Sequence, residues 1–414
     1  MKCESRNRRI PTATQVVSSL NGESNRLYME STHARNVGIA KFVNDCLYDT
    51  KNPKQMEDER VRNTIMGFPC LMYINDELQG VYNFNLDRYS TLPYGYDDPS
   101  GNVLVYEVSA NSDTTAGAFY KWTEASGKNK LDYYKSDFEC LYPPSRAAGN
   151  DTMDELIRLV EWVNDSSDED FRDNFERYFN KEYVLRYYLY VLIFGAVDSL
   201  GKNMKLTSFD GGLTWYPQVY DADTCIGLDN TGFLKFDMDI EMGDENVFNT
   251  TGSKLWQRVV LQFDAELKAQ YSLMRQDRFT VDNIMKYLYE EQIAQIPATF
   301  YNKDMQTKYL NFGSSYLYAL HGSGEQHIKR WIRERIMYCD TLLGYNVSSS
   351  DYITLRSSKL GEVYLDIQTY IPMYVSVKWR DEANNTGLQT KRVGRGETVR
   401  FTYNMPTATE TMIV

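Results

Sequence analysis

Hydrophobic periodicity changes character three times along the chain. From Met29 to Leu47, apolar Val37, Ile39, Ala40, Val43 and Leu47 recur near helical spacing, and Ser31 or Thr32 is placed to cap the first turn. Two apolar runs follow at 68–74 and 80–86; the stretch Asn75-Asp76-Glu77-Leu78-Gln79 between them predicts a hairpin. A further strand is predicted at 102–108, after a loop rich in Pro, Gly and Asp. From Thr152 onward the spacing is helical in three segments, 153–163, 171–179 and 183–197. Asp165, Asp168, Glu169 and Asp170 between the first two read as a solvated connection rather than a metal site. Helical spacing resumes over 253–345 and ends in an amphipathic stretch with Gly344 as its stop. Beyond Ser348-Ser349-Ser350 apolar and polar residues alternate at 351–357, 361–370, 373–379 and 397–405, which predicts strands.

These shifts divide the chain into four parts. Residues 1–26 are a polar, basic arm or truncated edge, 27–150 are β-rich, 151–348 are helical, and 349–414 form a β-strand module. At 414 residues the chain has room for two or three domains of ~100–200 residues each. Hydrophobic residues at 42% and charged residues at 25% are ordinary for a globular protein, so folding needs no disulfide or metal staple. Tyrosine is the outlier: 33 copies against 18 Phe and 6 Trp suit half-buried contact surfaces. A net charge of −12 argues against a nucleic-acid partner, which needs a basic footprint. No apolar run approaches the ~20 residues of a membrane span. The basic residues at the start have no apolar stretch behind them, so secretion by a signal peptide is not expected. Six scattered cysteines without a CxxC pair read as structural thiols, and His33, His321 and His327 are assigned no chemistry.

The chemistry concentrates at 183–223. An apolar helix leads to Asp198, and Asn203 follows five residues later. Two strands around Asp210-Gly211-Gly212 then run into Asp221 and Asp223. Protein kinases place an Asp that accepts the substrate proton, a metal-holding Asn and a second Mg²⁺-binding Asp in this order. Phosphoryl transfer needs those types because it is mostly positioning and charge neutralisation, and Mg²⁺ takes hard oxygen ligands. The plain alternative makes Asp198 a loop cap, Asn203 a backbone partner, and Asp221 and Asp223 members of a solvated turn. An Asp-x-Asp at a strand end also serves Mn²⁺ and nucleotide sugars in glycosyltransferases, although no βαβ series precedes it here. A glycosidase carboxylate pair is a third reading, which spacing in the sequence does not test. No GxxxxGK or GxGxxG is present.

These residues resemble the CotH family of atypical protein kinases over roughly 27–345. The likeness lies in 68–87, in GAVDSLGKNMKL and in WYPQVYDADTCIG (215–227). Segments 28–45, 80–90, 106–119 and 221–232 are similar to the variant found in phage virion proteins. The resemblance implies an α+β fold: an atypical protein-kinase-like (CotH-like) domain followed by a small all-β module. It implies Asp198 as the catalytic Asp or its close neighbour, Asn203 and Asp221 as Mg²⁺ and nucleotide ligands, and Asp223 in support, with ATP and Mg²⁺ or Mn²⁺ as cofactors. The family's phosphate-pairing Lys before the first helix has no clear counterpart; Lys2 is the nearest, and Lys41 falls on the helix. The expected role is a tail, neck or fibre subunit of a virion, made in the host cytoplasm, oligomeric, and partnered by other virion proteins rather than nucleic acid or membrane. The alternative is an active kinase acting on Ser/Thr-type hydroxyls.

Overall fold

The computed structural model describes residues 26–28, 35–47, 49–109, 118–228, 235–242, 253–312 and 325–345, then 353–359, 362–369, 373–381, 386–394, 397–402 and 408–413. The opening arm with Lys2, the Ser31/Thr32 cap, His33 and His321 lie outside them. The chain divides into two compact units, Met1–Ile332 and Arg333–Val414.

The first unit mixes helices and strands. Strand β1 (Arg26–Tyr28) precedes helix α1 (Arg35–Phe42), which continues as a wider π turn to Leu47, and then α2 (Pro53–Glu57). Strands β2 (Gly67–Ile74) and β3 (Glu77–Asn85) form the expected hairpin, but through two residues rather than five. Asn75 and Asp76 both take left-handed backbone, at φ 51° and 63°, which a tight hairpin turn demands and which Asn and Asp tolerate best. With β1 they make a three-stranded antiparallel sheet in the order β1-β3-β2.

The second sheet carries the chemistry. Its strands are β4 (Leu104–Ser109), β5 (Phe138–Tyr142), β6 (Lys202–Ser208) and β7 (Trp215–Val219), in the antiparallel order β5-β4-β6-β7. Helix α3 (Lys130–Asp137), capped by Asn129, and β5 were not expected from the sequence. The three predicted helices are α4 (Asp154–Asp165), α5 (Asp168–Asn174) and α6 (Lys181–Phe194). Every residue of α6 from Tyr183 to Phe194 is buried, so it is the central helix of the unit rather than a surface one. Gly195 ends it at φ 56°, and the Ala196 N–H returns to the Val191 carbonyl. Asp168–Asp170 open α5 behind the Ser167 cap, and Asp168 pairs with Arg258 at 2.9 Å.

The helices α7 (Lys254–Gln262), α8 (Asp264–Arg275), α9 (Val281–Met285), α10 (Ala298–Phe312) and α11 (Glu325–Leu342) complete the helical part. Gly344, at φ 66°, stops α11 as expected. The division between the units falls inside α11, whereas the pattern change after 348 marks where strands begin. Among the described residues no helix is long and apolar enough to cross a membrane.

The second unit contains β8 (Ile353–Lys359), β9 (Glu362–Thr369), β10 (Met373–Asp381), β11 (Thr386–Val393), β12 (Thr398–Thr402) and β13 (Ala408–Ile413). They form two three-stranded antiparallel sheets, β12-β9-β8 and β11-β10-β13. Leu365, Ile367, Val375, Val377, Val393 and Phe401 make its apolar core. The sequence suggested four strands and missed β11 and β13. In β11 only Val393 is fully buried, so its polar residues mask the alternation.

Candidate functional site

The site is built where α6 hands the chain to the β6–β7 hairpin. The turn after α6 is tied back onto the helix: Tyr187 donates to the Ser199 carbonyl at 2.6 Å, and the Tyr190 and Ser199 hydroxyls meet at 3.2 Å. That fixes the neighbouring Asp198, which is buried. The hairpin turn is set by Asp210, whose carboxylate accepts from Ser208 Oγ and from the N–H groups of Leu213 and Thr214. Met204 pairs with Val219, so Asn203 and the loop leaving β7 stand at the same end of the sheet.

Three non-glycine residues there adopt left-handed backbone: Asn203 (φ 51°), Asp221 (φ 53°) and Ile226 (φ 54°). Asn and Asp visit this region at modest cost, whereas a β-branched Ile is a true outlier. Such conformations persist where surrounding bonds over-determine them, and they gather at functional sites.

The surrounding bonds come from α1. Arg35, fully buried, donates from Nε to the Cys225 carbonyl at 2.7 Å and from Nη2 to the Ile226 carbonyl at 3.1 Å. Asn36 donates from Nδ2 to Asp221 Oδ1 at 2.9 Å, and its Oδ1 accepts the Ala222 N–H at 3.2 Å. From the other side the Ile226 N–H donates to the Phe194 carbonyl at 2.8 Å. Trp331, buried in α11, lies against both limbs: a side chain at Gly195 would meet its ring at 3.0 Å, and one at Gly227 would meet its Nε1 at 3.0 Å.

Electrostatics bring the predicted carboxylates together. Burial, then repulsion from Asp223 and Asp198, push the Asp221 carboxyl up to about 8; the bond from Asn36 pulls the other way, and Glu107 adds a little more repulsion. Asp223 is also raised, chiefly by burial, against N–H bonds to its carboxylate and the charges of Arg35 and Lys202. Asp198, Asp221 and Asp223 thus share one site, with Asn203 at its sheet end. Among the described residues no three His, Cys, Asp or Glu side chains form a ready-made cation cage. Oxygen donors of which Asp221 is repelled by Asp223 and Asp198 fit a hard divalent cation that keeps waters and takes its remaining ligands from phosphates.

One cationic group was missed in the sequence. Lys205 is buried on β6 directly opposite Glu107 on β4, with Nζ 3.0 Å from the Arg88 carbonyl and 4.3 Å from the centre of the Tyr94 ring. Glu107 itself pairs with Arg88 at 2.7 Å. Burial presses the Lys205 amine down to about 7, with Glu107 opposing and Arg88 reinforcing the shift. Its place two residues beyond Asn203 on the same strand was the available signal. Lys41, by contrast, is occupied at the surface by Asp45 at 2.5 Å and Glu291 at 3.2 Å. The described cysteines are free thiols, and burial raises those of Cys46, Cys140, Cys225 and Cys339.

A buried helix, an Asp turn, a hairpin and an acidic loop in this order define a kinase-like domain. The family model described as CotH kinase protein matches residues 63–339, which is most of the chain, and the protein belongs to that family. A comparison with curated proteins finds no match.

Proposed function

We propose that the chain is a kinase-type phosphotransferase domain that holds a divalent cation and a nucleoside triphosphate at the mouth of the β6–β7 hairpin. What supports this reading is the Asp221 carboxylate, oriented by Asn36 and crowded by Asp223 and Asp198, at the sheet end that carries Asn203. Asn203, Asp221 and Asp223 would hold Mg²⁺ or Mn²⁺, whose charge would offset that of the phosphates. Asp198 orients a Ser/Thr-type hydroxyl and accepts its proton. The hydroxyl oxygen then forms a bond to the γ-phosphorus, the bond from that phosphorus to the bridging oxygen breaks, and the nucleoside diphosphate leaves.

Incubation with γ-labelled ATP and Mg²⁺ or Mn²⁺, beside folded Asp198→Ala and Asp221→Ala, tests the proposal. Label transfer lost in both variants supports it; no transfer or nucleotide binding by the parent chain overturns it.

A second, compatible reading is a virion subunit, oligomeric and bound to other virion proteins. The likeness of segment 28–45 to the variant found in phage virion proteins supports it. The appended β unit adds the kind of module that accompanies such domains. A fixed copy number in purified particles is the expected result, and a monomer absent from particles would refute it.

A further inference from the structure

Helix α1 precedes the stretch matched by the family, which begins at residue 63, yet its first two residues hold the acidic loop. Asn36 is buried and uses both ends of its amide on consecutive residues, Asp221 and Ala222. Its donor fixes the rotation of the Asp221 carboxylate, and its acceptor fixes the peptide that follows. Arg35 takes the carbonyls of Cys225 and Ile226, so the two side chains pin both ends of 221–226. Asp221 and Ile226, the two left-handed residues of that loop, sit at the pinned ends. Removing the pins would let the backbone relax toward ordinary conformations and turn the carboxylate away.

The seat of α1 is equally tight. A Cβ on Gly38 would lie 2.8 Å from Leu288 Cδ2, 3.0 Å from Leu288 Cα and 3.1 Å from the Tyr287 carbonyl oxygen. Two of those atoms are backbone and cannot swing aside, so a larger residue at 38 displaces α1 as a body.

We infer that Asn36 is the positioning residue of the acidic site, aiming the Asp221 carboxylate, and that the seating of α1 is transmitted through it to the cation ligands. The functional consequence rests on the cation and nucleotide reading above; the geometric part does not.

The test compares the parent chain with Asn36→Ala, Gly38→Ala and the control Lys41→Ala, whose side chain pairs with Asp45 and Glu291. Two quantities are read: the affinity for Mn²⁺ with a non-hydrolysable ATP analogue, and amide hydrogen exchange across 221–226. Loss of a partner that orients a metal ligand typically weakens binding about 10–100-fold. Asn36→Ala and Gly38→Ala should both show that loss and faster exchange at Ala222, with melting still cooperative, while Lys41→Ala shows neither. Parent-like affinity and parent-like exchange in Asn36→Ala would overturn the inference. So would weakened binding with unchanged exchange, because Asn36 would then be a ligand and not a positioner. If Asn36→Ala does not fold, Gly38→Ala decides by the same two readouts. If the parent chain binds no Mn²⁺ or analogue, the phosphotransferase reading fails and exchange alone decides: protection at Ala222 lost in the variant upholds the positioning role, and protection retained overturns it.

Discussion

Replacing Asp221 by Asn should make the protein more stable at neutral and alkaline pH while abolishing the proposed cation site. The carboxyl is half-buried, and its raised value means that at pH 6 the folded chain holds a proton which the unfolded chain has released. Between 3.8 and about 8, raising the pH therefore favours unfolding, with a slope of about 1.4 kcal/mol per pH unit at most. The full span would be on the order of 6 kcal/mol, and solvent reaching the partly exposed group reduces it to about 2 kcal/mol. Asn suits the left-handed backbone at this position, and its amide oxygen can still accept from Asn36 Nδ2, so the substitution removes charge with little other disturbance. Urea unfolding at pH 4.5 and pH 8 measures the effect. The parent and the variant should be nearly equal at the lower pH, with the variant ahead by about 2 kcal/mol at the higher one. Saturating Mn²⁺ should then stabilise the parent and leave the variant unchanged. A variant that is less stable than the parent at pH 8 would refute the account of the site as a set of repelling carboxylates.

Lys205 predicts the opposite slope in a different window. Its amine titrates near 7 in the folded chain and 10.5 when unfolded, so stability should rise with pH between those values and Lys205→Met should flatten that rise; equal slopes by urea unfolding would count against it. Arg258 closes the α4–α5 corner through Val163 O, Ser166 Oγ, Ser167 O and Asp168 Oδ1, all within 2.9 Å. Arg258→Ala should cost about 2–4 kcal/mol in the same assay, because buried carbonyls lose a charged donor. At Gly67 a Cβ would meet the Phe84 carbonyl at 2.2 Å and Val37 Cγ1 at 2.8 Å, so Gly67→Ala should lower the melting temperature by several degrees. Phe401→Ala should cost about 3–5 kcal/mol and unfold the small β unit, seen as loss of its amide protection while α6 stays protected.

The parts of this fold legible in the sequence are those fixed by neighbours along the chain. Gly344 as a helix end, Asp210-Gly211-Gly212 as a hairpin turn and the spacing from Asp198 to Asn203 all depend on local geometry. What stayed hidden depends on distant partners. Asn36 and Asp221 are 185 positions apart, and nothing in either segment announces that one amide orients the other. Lys205 was passed over because its opposite number, Glu107, is brought to it only by the register of β4 on β6. Strand β11 escaped because its burial comes from one residue, and no period can be read from one point.

The indole of Trp331 touches both limbs of the site, Gly195 three residues before Asp198 and Gly227 four after Asp223. It is thus a fluorophore placed against both segments of the proposed site. Its emission should shift on occupancy without any label, and a Trp331→Phe chain would provide the trace of the other five tryptophans to subtract from that of the parent. Entry of the proposed cation and nucleotide should therefore be readable in the unmodified protein, by light alone.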